Sequence, residues 1–189
     1  KRQGPGAPAG MRKFYRRRRL AALALVLVAI VVALVLFGTL GTQASTRVQG
    51  DQLGPDGESR AEYIERVNSM DIDPDATTYA LVTFDTELPP VAVAAALTDI
   101  PRMDAILMGS TAPIAVPEPV AGEDRAAVIN RTFDRIGASY GQRPSAVSAA
   151  VVWGTGTQLA DVASLPAVAA VEPAPADAAW GSFAVRPPS

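Results

Sequence analysis

Residues 20 to 40, LAALALVLVAIVVALVLFGTL, run for 21 positions without a charged side chain, directly behind Arg16, Arg17, Arg18 and Arg19. As a helix rising 1.5 Å per residue, the run measures about 31 Å, the thickness of a bilayer's hydrocarbon core. A buried core helix would carry polar punctuation, and this run has none. A cleavable signal peptide has a shorter apolar stretch of roughly 7–15 residues and small residues at the cut. Thr42-Gln43-Ala44 is a poor cleavage site, and the run is too long for that reading. No twin-arginine export motif is evident, and the strongly hydrophobic helix argues against one. The expectation is a retained signal anchor. Residues 1–19 carry eight Lys or Arg and no acid, which places that end in the cytoplasm and everything after Leu40 outside the membrane. Met11-Arg12-Lys13 reads as a natural start, with residues 1–10 as an upstream extension.

The overall net charge of −2 hides two opposite parts. Beyond the apolar run stand nine Arg, no Lys and all 19 acids, a balance of −10. Such a surface repels nucleic acid and anionic headgroups, so nucleic acid is not an expected partner. The basic tail suits the anionic inner leaflet, although a topology signal alone accounts for it. The sequence contains no Cys and no His. That removes thiolate nucleophiles, disulfides, Cys/His zinc sites and any Ser-His-Asp triad. The Arg-, Ala-, Val- and Asp-rich composition is the kind associated with high-GC bacteria.

Residues 41–58, GTQASTRVQGDQLGPDGE, read as a flexible juxtamembrane linker. Ser59 then opens a helix, with Glu62 completing a capping box and Tyr63, Val67 and Met70 on one face. Thr78 to Phe84 is rich in strand formers, with Ala80, Val82 and Phe84 on one face. Pro89-Pro90 starts a helix carrying Val93 and Leu97, and Met103 to Met108 forms a second strand. The order then recurs: strand at Ala146–Trp153, helix at Thr157–Leu165, strand at Val168–Glu172. Leu97-x-x-Ile100-Pro101-x-Met103-x-Ala105-Ile106 aligns with Val162-x-x-Leu165-Pro166-x-Val168-x-Ala170-Val171 at a constant offset of 65 residues. Each copy is an apolar helix end, a Pro that stops the helix, and a strand. Two such units predict an α+β, ferredoxin-like split βαβ domain with both helices on one face of the sheet. Between them, Gly109–Gly122 reads as an extended loop. A helical insertion follows that buries Val128, Ile129, Thr132, Phe133 and Ile136 and stops at Gly137. The expected organisation is a cytoplasmic tail at 1–19, a transmembrane helix at 20–40 and a linker at 41–58. The α+β domain spans 59–176, and a Pro-rich tail spans 177–189.

Few residues stand out as chemistry. Asp71, Asp73 and Asp75 alternate as oxygen ligands do around Ca²⁺, but the stretch lacks the Gly and terminal Glu of an EF-hand loop and reads as a solvated turn. Asp85 and Glu87 follow a strand with no base or nucleophile nearby, which favours a helix N-terminal role. Gly154-Thr155-Gly156-Thr157 lacks the third Gly of a dinucleotide fingerprint and the Lys of a P-loop. It reads as a tight turn with Thr157 as N-cap. Trp180 and Phe183, set among Pro173, Pro175, Pro187 and Pro188, are the candidate partner-binding residues. Such a pair docks in a partner's groove, folds back over its own sheet, or stays mobile.

Leu159, Leu165, Pro166, Val168, Val171, Glu172 and Pro173, within LADVASLPAVAAVEPAP, carry a resemblance over residues 77–176 to the propeptide and inhibitor modules of subtilisin-like proteases. The resemblance implies a ferredoxin-like fold and, if function followed, an inhibitory tail after Glu172. The leading expectation is a single-pass, non-catalytic binding or scaffold protein of the bacterial cell envelope, partnered by the bilayer and an envelope protein, without a cofactor. The alternative is an inhibitor-like module acting through its tail.

Overall fold

The computed structural model describes residues 22, 24–26, 28 and 51–188. The expected membrane span and the basic tail therefore lie outside the described residues, apart from five positions between 22 and 28 that are helical. Among the described residues no helix is long and apolar enough to cross a membrane.

Residues 51–188 are a mixed α+β unit built on an antiparallel sheet. The strands are β1 (Gln52–Leu53), β2 (Thr77–Leu88), β3 (Arg102–Leu107), β4 (Ile114–Ala115), β5 (Val147–Thr155), β6 (Val168–Pro173) and β7 (Ala184–Val185). The helices are α1 (Arg60–Asn68), α2 (Pro90–Ala96), α3 (Arg125–Tyr140) and α4 (Gly156–Ala163). Five strands form one sheet in the order β4-β3-β5-β2-β6, every pairing antiparallel, while β1 and β7 form a separate parallel pair.

Strand alternation sorts the side chains into two cores. Ala80, Val82, Phe84, Met103, Ile106, Val152 and Val171 face α2, α3 and α4, where they meet Val93, Leu97, Ile129, Phe133 and Leu159. The repeated phrases thus contribute equivalent positions: Ile106 and Val171 lie in this core, and Ala105 and Ala170 are buried on the opposite face. That opposite face is covered too. Tyr79, Leu81, Leu107 and Val151 lie under Leu53, Ala174, Phe183 and Val185, while Tyr63 and Val67 of α1 pack on Ala170.

Several local expectations are corrected. Helix α3 runs past Gly137 and stops at Gly141, whose φ of +76° supplies the left-handed turn of an αL stop, its N–H donating to the Gly137 carbonyl. Ile136 is half-buried because it sits beyond the well-packed turns. Helix α4 is capped by Thr155, not Thr157: the Thr155 hydroxyl accepts from Gln158 N–H, and the Gln158 side chain returns the bond. The α1 capping box forms as expected between Ser59 and Glu62, but the helix ends at Asn68 and Met70 is exposed. The loop 109–122 contributes the two-residue strand β4 to the sheet edge.

Residues 51–58, read from the sequence as part of a flexible linker, join the fold. Ala184 and Arg186 donate backbone N–H groups to Asp51 and Leu53 carbonyls, each at 2.8 Å. Gly54 N–H donates to the Glu172 carboxylate at 2.6 Å, and a Cβ on Gly54 would sit 2.1 Å from the Arg186 carbonyl oxygen. Only Gly permits that approach.

Candidate functional site

The C-terminal strap, residues 174–188, is tied at its start to β2 and then folded by local turns. Ala174 N–H donates to the Tyr79 carbonyl at 2.8 Å, and the Thr78 hydroxyl donates to the Ala174 carbonyl at 3.0 Å. Two successive turns follow, closed by Ala178 N–H to Pro175 O and Ser182 N–H to Ala179 O, each at 2.9 Å. The Ser182 hydroxyl also bonds Ala179 O. These turns set Trp180 and Phe183 on Tyr79, with ring centroids 5.9 Å and 5.5 Å away and 6.1 Å between the two tail rings. Tilted and edge-on ring pairs at such spacings add to the area they bury. Phe183 is half-buried, whereas Trp180 stays 41 % exposed.

The strap does not seat flat on the outer strands. Between Trp180, Phe183 and Val185 on one side, and Ala105, Pro113 and Ala115 on the other, lies an apolar groove of about 190 Å³. Small side chains at 105 and 115 leave the space open. Trp153 stands opposite Tyr79 in the β2–β5 register, hence on the same sheet face, and is itself partly exposed.

Two buried carboxylates flank this face, and neither was singled out in the sequence as a site. Glu172, on β6, accepts from Gly54 N–H, from the Tyr63 hydroxyl at 3.2 Å and from Arg66 at 3.0 Å. Arg66 also holds Glu58, and its guanidinium lies over the Tyr63 ring. Burial pushes the Tyr63 hydroxyl well above the ordinary tyrosine pKa. The hydrogen bond from Arg66 holds Glu58 below the usual carboxylate range. The cluster is fully partnered and ties residues 51–66 to β6. Asp104 sits at the β-bulge between Met103 and Ala105, buried, with one oxygen paired to Arg102 and the other without a hydrogen-bond partner. Burial raises its pKa, Arg102 opposes the shift, and the charge of Glu118 adds to it. A charged residue inside an otherwise apolar strand, as in MDAILM and VAAVEP, is the signal that marks both positions.

The other sequence candidates have local roles. Asp73 accepts from Asp75 N–H at 3.0 Å, closing its own turn, and Asp71 and Asp75 are exposed. Among the described residues no three Asp or Glu side chains converge as metal ligands would. Asp85 and Glu87 are exposed near the end of β2. Gly156 lies against the Asp73 backbone, where a Cβ would come within 1.9 Å of the carbonyl oxygen, so the Gly-rich turn is tight for packing. Trp180 and Phe183 come together at the groove, and Arg16, Arg17, Arg18 and Arg19 lie outside the described residues.

Comparison with protein families, with curated proteins and with solved structures finds no match.

Proposed function

We propose that this chain is a single-pass, non-catalytic binding protein of the bacterial cell envelope. In this reading, residues 20–40 hold it in the membrane with the basic tail in the cytoplasm, and the α+β domain docks an envelope protein outside. The observation that carries the binding reading is the groove at Trp180: an aromatic rim, an apolar floor and open space on the domain surface. Apolar concavities with exposed aromatic rims are where partners anchor. The topology reading is supported by the eight positive charges before the apolar run.

The finer fold reading, a ferredoxin-like split βαβ domain with α3 as a helical insertion, is supported by the order β3-β5-β2-β6 and by α2 and α4 packing on one face. The inhibitor-like alternative draws on the same order. It needs the stretch after Glu172 to reach a protease, and that stretch is engaged with its own sheet, which favours the binding reading.

Two measurements test the proposal. A reporter active only outside the cytoplasm, fused after Ser189, is expected to be active, and activity of a cytoplasm-dependent reporter instead would overturn the topology. Capture of a partner from solubilised membranes is expected to be lost in Trp180→Ala. Capture that survives the substitution would overturn the groove as the docking surface.

A further inference from the structure

The groove opens beside an edge strand that is closed by proline. Val116 N–H donates to the Asp104 carbonyl at 2.9 Å, and Ile114 pairs with Ile106 in the same ladder. Alternate residues of an antiparallel strand turn their backbone groups to opposite sides. Positions 114 and 116 therefore face β3, and positions 113, 115 and 117 face away from the sheet. Pro113 and Pro117 have no N–H, so an incoming strand finds one donor, Ala115, where it needs one at every second residue. Strand addition is blocked at the edge beside the groove that Trp180 and Phe183 rim.

What the groove admits is a side chain. Its volume of about 190 Å³ is below that of a typical small-molecule pocket, roughly 300–1,000 Å³, and its lining is apolar. The surrounding charge sets the sign of what approaches. Residues 51–188 hold eight Arg against 19 acids. Arg66, Arg102, Arg125, Arg131, Arg143 and Arg186 are each spent on an ion pair within the domain. The exposed Asp177 stands three positions before Trp180. We infer that the groove takes an apolar side chain carried on a cationic protein segment, which docks by insertion and not by adding a strand to β4. The inference deepens the docking reading above and rests on it.

The test uses the full chain in neutral detergent micelles with Trp153→Phe, which leaves Trp180 as the sole indole. The probes are a Lys-rich peptide with one central Phe, the same peptide with central Gly, and the Phe peptide with Glu in place of Lys. The Lys/Phe peptide is expected to shift Trp180 emission saturably, about tenfold or more tighter than either control. Ala115→Leu, at an exposed position on the groove floor, is expected to abolish the shift while keeping the parent's melting temperature. Pro117→Thr, which adds an outward N–H beside Ala115 at a position outside the groove lining, is expected to leave the affinity unchanged. Equal binding of the Gly peptide, or binding retained in Ala115→Leu, would reduce the effect to surface charge and overturn the inference. Equal binding of the Glu peptide would overturn the charge argument. A tenfold gain in Pro117→Thr would mean strand addition, and a peptide-free shift that grows with protein concentration would mean a second copy. Either result overturns the proposal. No shift with any probe overturns it as well, whereas Trp180-dependent capture from membranes would leave the docking reading standing.

Discussion

Ile106→Ala and Val171→Ala put a number on the pairing of the two repeated phrases. Ile106 is 0 % exposed and Val171 is 3 % exposed, both in the core beneath the helices. Ile→Ala removes three carbons, about 2.4 kcal/mol at about 0.8 kcal/mol per buried CH₂. The residual cavity on the central side of β3 brings the expected loss to about 3.5 kcal/mol. Val171→Ala removes two carbons, about 1.6 kcal/mol of transfer, from an outer strand where neighbours relax more freely, for about 2 kcal/mol in all. Val91, 70 % exposed on α2, is the control. Val91→Ala removes no core contact and improves helix propensity, so its effect is expected between zero and a stabilisation of about 0.5 kcal/mol. Urea unfolding of residues 49–189, followed by the fluorescence of Trp153 and Trp180, reads these as midpoint shifts at constant slope. If Ile106→Ala and Val171→Ala unfold with the midpoint of Val91→Ala, the two phrases do not share a core, and the placement of β3 and β6 in one sheet fails.

Cutting the chain at Ser59 removes the buried Leu53, the Gly54–Glu172 bond and Glu58 from Arg66. The expected loss against residues 49–189 is about 3 kcal/mol, with a red shift of Trp180 emission as β7 loses its partner. An unchanged midpoint would mean that residues 51–58 do not hold the strap. Because burial raises the Asp104 pKa, its contribution is fully present below the ordinary Asp value of 3.8 and is lost as pH rises through the folded-state value. Asp104→Asn does not titrate, so the melting temperature of the variant minus that of the parent is expected to rise between pH 3 and pH 7. A difference flat in pH would refute the assignment. Gly156→Ala forces a Cβ against the Asp73 carbonyl and is expected to cost about 2 kcal/mol in the same urea assay. A loss below half a kcal/mol would show that the 71–76 turn simply moves aside.

The sequence by itself determined those elements whose signals are local. The capping box at Ser59 and Glu62, the Pro90 helix start and the alternation of Ala80, Val82 and Phe84 each depend on neighbours a few residues away. The 65-residue repeat added one long-range fact, that Ile106 and Val171 share a core, because a repeated unit buries its equivalent positions in the same way. Boundaries slipped where two local signals competed. Gly137 and Gly141 both offer a helix stop, and only Gly141 adopts the positive φ that ends the helix, its N–H donating to the Gly137 carbonyl. Thr155 and Thr157 both offer a cap, and the reciprocal bond with Gln158 chose the first. Only the tertiary structure decided what covers the second sheet face. GDQLGPDG and the Pro/Ala-rich tail have no periodicity to announce a strand. Their pairing depends on Glu172, Gly54 and Arg186 meeting across more than 100 residues of chain. The groove is a product of the same meeting. Trp180 and Phe183 were legible as an aromatic pair, but Ala105, Ala115 and Val185 become its floor and wall only when the strap crosses the outer strands.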